Sequence, residues 1–189
     1  MNKYSRSSQI VFFIGSSLVV MSVTLSSYGI ATVTPRLLSA FDAMQHYTLT
    51  SLMASIGMLL FLPVVGKLID TVGRRPMLII GTIITLASSV AAGLAPNFVF
   101  FLVMRALITV GSACLTPLPS ASLPYVFERK QLPTVYGIQG AFLALGAFFG
   151  STLAGWFADN GMMWMAVAYP GILACIGSAM MFVLCPTVE

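Results

Sequence analysis

The chain has 189 residues, of which 58% are hydrophobic and 7% charged, with a formal charge of +4. A soluble domain carries roughly 25% charged residues. This composition, with a mean hydropathy of +0.98, therefore belongs to a bilayer and excludes an ordinary soluble fold. It also excludes a nucleic-acid reader, because the cations are few and sit at the ends of apolar runs rather than along a phosphate-tracking face.

A membrane-spanning helix needs about 20 apolar residues. Apolar runs fall at 9–33, 47–66, 76–95, 98–119, 134–157 and 163–185. These predict an all-α membrane protein, a single bundle over 1–189 with six transmembrane helices. Lys3 and Arg6 precede the first run, which continues to about Val33 with no A-x-A site. That is too long for the apolar core of a secretory signal, so the run reads as an uncleaved first helix. Within it, Ser17, Met21, Thr24, Tyr28 and Ala31 share one helical stripe. Small and polar residues of this kind suit either tight helix packing in lipid or the wall of a cavity; Thr24 and Tyr28 are the cavity candidates.

Between the second and third runs lies Gly66-Lys67-Leu68-Ile69-Asp70-Thr71-Val72-Gly73-Arg74-Arg75-Pro76, a charge-dense hinge loop over 66–76. Gly66 permits close backbone approach, and Gly73 can take the left-handed conformation of a tight turn. Asp70 is an acceptor for an Arg fork or a helix N-terminus. Pro76 can open the next helix, where its missing N–H costs nothing. With the N-terminus inside, Lys3, Arg6, Lys67, Arg74, Arg75, Arg129 and Lys130 are cytoplasmic and only Arg36 lies outside. The positive-inside rule thus predicts a multi-pass protein of the cell membrane with both termini cytoplasmic.

The fourth run holds the mid-bilayer charge, Arg105, with Thr109, Ser112 and Thr116 continuing its stripe. Such a charge costs about 2.5–3.5 kcal/mol on insertion scales. Arg105 is therefore expected to face the bundle interior, in a coupling or substrate role with Thr109 and Ser112. The fifth run is glycine-rich, with Gly137, Gly140, Gly146, Gly150 and Gly155, and spacings of four make a groove for close helix approach. Cys114, Cys175 and Cys185 have no metal or disulfide spacing and read as inert thiols. His46 has no second ligand in the sequence, so no metal site is expected. No nucleophile–base pair or nucleotide loop points to an enzyme, and no cofactor is expected.

A shift of 89 positions superimposes Pro35 on Pro124, Tyr47 on Tyr136, Gly57 on Gly146, Gly66 on Gly155 and Asp70 on Asp159. The unit holds three spans, so the second copy (about 98–185) must be inverted relative to the first (about 9–95). The copy of the basic hinge should then lie outside and lack its charges. Indeed Gly73-Arg74-Arg75 corresponds to Met162-Met163-Trp164.

The hinge pattern G-x-L-x-D-x-x-G-R-R, from Gly66 to Arg75, resembles the signature loop between helices 2 and 3 of the major facilitator superfamily. Arg105, Gly111 and Ala113 resemble its helix-4 pattern R-x-x-Q-G-x-G-A-A, with Ile108 and Thr109 in place of Gln and Gly. Gly137, Gly146, Gly150 and Gly155 follow the helix-5 motif of drug:proton antiporters, with Ser151 in place of its proline and Ala154 in place of one glycine. The 3+3 inverted repeat is similar to the N-terminal half of such a transporter. The resemblance implies proton-coupled export of small molecules of the multidrug-efflux type, the proton being the coupling ion. It also implies a second six-helix half as partner, with Asp70, Arg74 and Arg75 in a gating charge network between the halves. No acidic residue lies within any span, Asp42, Asp70, Glu128, Asp159 and Glu189 all being at loops or ends, so any intramembrane carboxylate is expected on that partner. The alternatives are a sugar or metabolite transporter half of the same superfamily, or a truncated, non-transporting membrane module.

Overall fold

The computed structural model describes residues 6–184; Lys3, Cys185 and Glu189 lie outside the described residues. The described elements are α1 (Arg6–Ala40), α2 (Tyr47–Val72), α3 (Arg74–Gly93), α4 (Phe98–Leu115), α5 (Pro117–Val126), α6 (Leu132–Asp159) and α7 (Met163–Leu184), with one short 3₁₀ turn at Met44–His46. Six helical stretches are long and apolar enough to cross a membrane, α4 and α5 together making one of them. Helices dominate because hydrocarbon offers no partner for a free amide or carbonyl, so each segment must satisfy its own backbone.

Helix ends follow local chemistry. Asn97 caps α4, its side-chain oxygen accepting from the Phe100 amide at 2.8 Å. Gly73 separates α2 from α3 at φ +97° and ψ 165°, a region essentially reserved for glycine. The predicted hinge loop is therefore helical except at that residue. Gly66 to Val72 continue α2, and Arg74, Arg75 and Pro76 form the first turn of α3. The apolar pattern stops at 66, but nothing in Lys67–Val72 breaks a helix, and backbone bonding carries on to the first glycine with positive φ.

Two other boundaries differ for the same kind of reason. α1 runs to Ala40, past the predicted end at 33 and through Pro35. At 1.5 Å per residue it is about 52 Å long, longer than the roughly 30 Å hydrocarbon core. The fourth run continues to Val126 and breaks at Thr116, where Pro117 starts α5. Proline lacks the amide that would continue the ladder and tolerates the first turn of a new helix.

The packing has an exchange symmetry. α1 lies against α6 and α7, α4 lies against α2 and α3, and α3 meets α7. Exchanging the first three spans for the last three returns the same set of neighbours. Small residues permit these approaches. A Cβ on Gly57 of α2 would touch Thr109 of α4, and one on Gly146 of α6 would collide with Thr24 of α1. These two glycines are 89 residues apart, as in the sequence repeat.

Polar side chains tie the helices together. Thr82 of α3 donates to Ser178 of α7 at 2.7 Å, Tyr169 of α7 to the Gly150 carbonyl of α6 at 3.1 Å, and Gln9 of α1 to the Val126 carbonyl at 3.0 Å. Most other hydroxyls, Thr34 and Thr85 among them, bond back to the preceding turn. By contrast α2 and α6 are sparsely covered, with Leu59 75% exposed on α2 and Phe148 65% exposed on α6.

Candidate functional site

Two clefts open along α1. The smaller, of about 140 Å³, is lined by Val23, Ser26 and Ser27 of α1, Ala54 and Met58 of α2, and Arg105, Ile108, Thr109 and Ser112 of α4. The larger, of about 280 Å³, is lined by Val20, Val23 and Thr24 of α1, Thr116 and Ser120 at the α4–α5 break, and Tyr136, Gln139, Gly140 and Leu143 of α6. Val23 belongs to both. The break at Thr116 thus sits where the α4 stripe passes from one cleft to the other.

The Arg105 stripe behaves as its spacing predicts. Arg105, Thr109 and Ser112 line one cleft and Thr116 the next. Arg105 faces α1 and α2, makes no ion pair with any described residue, and its Nε is buried with no partner. Thr109 donates to the Arg105 carbonyl at 3.1 Å and Thr116 to the Ser112 carbonyl at 2.7 Å, which fixes those hydroxyls. Ser26 Oγ, in the same cleft, is buried and also without a partner.

The α1 stripe divides. Thr24 lines the larger cleft, Met21 turns to a separate apolar groove with Leu25 and Phe149, and Ser17 is buried. Tyr28 is 52% exposed and lines neither cleft. A predicted stripe this wide spans more than one neighbour, and α6 and α7 take different parts of it.

The fifth-span glycines divide as well. A Cβ at Gly146 would stand 2.8 Å from the Met21 carbonyl oxygen, and one at Gly150 would be 3.0 Å from Leu25 Cα. Gly137 and Gly155 have nothing within 4 Å. The four therefore do not form one packing face: two seat α1, and two lie on an open side of α6.

At the basic end, Asp70 is exposed and makes no ion pair within the described residues. Arg74 stacks on Tyr125 of α5 with its Cζ 4.1 Å from the ring centre, and its Nη1 is buried without a hydrogen bond. Arg75 points to Phe182 of α7, 5.8 Å from the ring centre. Among the described residues Asp70 therefore pairs with neither arginine, and α3 brings the two side chains to aromatic rings on different helices. At the opposite end Arg36 and Asp159 form an ion pair at 2.6 Å. The 89-residue shift maps Asp159 onto Asp70 and Arg36 onto Tyr125. The two ends therefore use equivalent positions differently: a direct ion pair at one, and at the other an aromatic ring that receives Arg74.

Gln139 and Ser120 are cleft residues that the sequence reading did not name; Tyr136 entered it only through the repeat, and Ser26 and Ser27 only as two of the many hydroxyls of the first run. Gln139 had an available signal: it is the one amide side chain within the run 134–157, and a polar residue inside a span is a functional candidate. It is 5% exposed, with Nε2 unpartnered. Tyr136 donates to the Ser120 carbonyl at 3.0 Å, bridging α6 to α5.

Six apolar crossings, packed as two exchangeable triplets around clefts, one of which holds a half-buried cation, define an integral membrane protein of transporter architecture. The chain belongs to the Major Facilitator Superfamily, whose family model matches residues 12–189. Six helices in this order correspond to one half of that fold, and the superfamily comprises transporters rather than enzymes. The chain is 34% identical over 114 residues to the uncharacterized MFS-type transporter YvkA of Bacillus subtilis (strain 168), covering 58% of this chain and 26% of the relative. It is 32% identical over 118 residues to the multidrug transporter protein MdtP of the same organism, covering 60% and 22%. It is 31% identical over 119 residues to the multidrug resistance protein Stp of Mycobacterium tuberculosis (strain CDC 1551 / Oshkosh), covering 61% and 21%. The chain thus matches about a quarter or less of the length of these relatives.

Proposed function

We propose that the chain is a six-helix half of a proton-coupled secondary exporter of small molecules, of the multidrug-efflux type. In this reading it sits in the cell membrane with both termini cytoplasmic and works with a second six-helix half. The observation that carries the reading is the pair of clefts along α1, one holding an arginine whose Nε is buried and the other a buried glutamine. A ligand path needs such space, and polar groups this deep in a bilayer are retained where they face ligand, water or a partner. The similarity to MdtP and Stp supports the multidrug class. The exposed apolar sides of α2 and α6 support a facing half, which would close the second wall of the cavity.

The test is flux in proteoliposomes with an imposed proton gradient, using fluorescent dyes as substrate. The protein joined to a second half is expected to show saturable, gradient-dependent export. The 189-residue chain alone, as a demonstrated monomer, is expected to show none. Gradient-dependent flux from that monomer would refute the need for a facing half, and no flux from the joined protein across a dye panel would refute the efflux reading.

A further inference from the structure

We infer that the Arg105 cleft binds the carboxylate of an amphiphilic organic anion, held by the Arg105 guanidinium and the Ser26 hydroxyl. The inference rests on the transporter reading and names the substrate chemistry within it. Two independent orphans meet in this cleft. Arg105 Nε is buried without a partner, and Ser26, 2% exposed on the facing helix, has an unbonded Oγ. Thr109 and Ser27 compete little as donors, since they already donate to the Arg105 and Val23 carbonyls. The free donors in the cleft are therefore an arginine fork and the hydroxyls of Ser26 and Ser112, of which the Ser26 hydroxyl is the fully buried orphan.

Charge balance decides which ligand they suit. No acidic residue lines either cleft, and Asp42, Asp70, Glu128 and Asp159 are all exposed at the ends of the bundle. A cationic ligand would meet a like charge with nothing to offset it in a medium of low dielectric. A neutral one would leave the guanidinium without a counter-charge. A carboxylate satisfies it with two parallel hydrogen bonds, and the serine hydroxyl can supply a third.

Size sets the rest of the ligand. An apolar cavity of about 150 Å³ admits a benzene ring, so about 140 Å³ takes a carboxylate and the atoms next to it, and no more. Beyond Val23 lies the larger cleft, where Val20 and Leu143 offer an apolar wall and Gln139 an unpartnered amide. The ligand that fits both is an anionic head on an apolar body.

The probe is 2-naphthoate, with 2-naphthamide and 2-naphthylmethylammonium as neutral and cationic controls. Each is titrated against the purified chain in nanodiscs and against empty nanodiscs. Saturable binding of naphthoate is expected, at least tenfold tighter than either control. Arg105→Gln should weaken it at least tenfold, Arg105→Lys by a smaller factor, and Ser26→Ala a few-fold. The variants' thermal unfolding is recorded to show that they remain folded. If Arg105→Gln does not fold, Arg105→Lys and Ser26→Ala decide, and unchanged affinity in both overturns the inference. Equal binding of the three probes overturns it, as does naphthoate binding unaffected by Arg105→Gln. Absence of naphthoate binding also overturns it. Because the measurement is of binding, failure of flux would refute the transport reading and leave this result standing.

Discussion

A buried glycine in a membrane helix has value only where a neighbour occupies the space its side chain leaves. Gly146 meets the Met21 carbonyl, a backbone atom that cannot swing aside, whereas Gly155 meets nothing. Gly146→Val is therefore expected to destabilise the bundle by about 1–3 kcal/mol, the range for overpacking, and Gly155→Ala to change it by no more than about 0.5 kcal/mol. Thermal or denaturant unfolding in one detergent checks both; equal losses would mean that the open side of α6 is covered. Asp70 provides a second contrast. Exposed and unpaired within the described chain, it contributes little to the bundle itself. Asp70→Asn should leave the unfolding midpoint within error while impairing flux of the joined transporter. Unchanged flux would reduce the hinge charges to a topology signal.

At the scale of elements, the α4–α5 break at Thr116 leaves the end of α5 in need of an anchor. Gln9 provides it, reaching from α1 to the Val126 carbonyl in a buried setting. Removing a partner from a buried carbonyl costs about 1–3 kcal/mol. Gln9→Leu should lower stability by an amount in that range, and amide exchange should rise first over 117–126. Uniform exchange across all helices would show instead that the bond does not hold α5 locally. The Arg36–Asp159 pair joins α1 to α6 but is half exposed. Such pairs contribute about 1 kcal/mol or less, so Arg36→Gln is expected to be mild.

For the whole molecule, the distribution of charge yields a topology that can be measured. Lys67, Arg74, Arg75, Arg129 and Lys130 gather at one end of the bundle, with Arg36 at the other. With cysteines introduced singly in a thiol-free background, Asn160→Cys should react with an impermeant reagent in intact cells. Thr71→Cys should react only after permeabilisation. Labelling of the position-71 thiol in intact cells would invert the assignment. The same charges stand on two separate connections, so the bias does not depend on one loop.

Membrane class, number of crossings, repeat and family were all legible in the residues. Each follows from a one-dimensional pattern: apolar length, charge at span ends, an 89-residue register, and spaced glycines and arginines. Arg105 was legible because a mid-span charge is costly wherever it points. Ser26 was not, since one serine among the many hydroxyls of its span becomes notable only when neighbouring helices bury it and leave Oγ without a partner, whereas Gln139 stood out as the one amide of its run. Helix ends at 40, 72 and 126 escaped the hydropathy pattern because backbone hydrogen bonding continues past the apolar run, ending in the second span only at Gly73 with its positive φ and in the fourth at Phe127 in extended backbone. Which glycines pack, which face of α1 lines a cleft, and where Arg74 and Arg75 point were decided by tertiary structure alone. A helix presents every side chain at a fixed angle, but only the neighbours that arrive determine which angle is the inside.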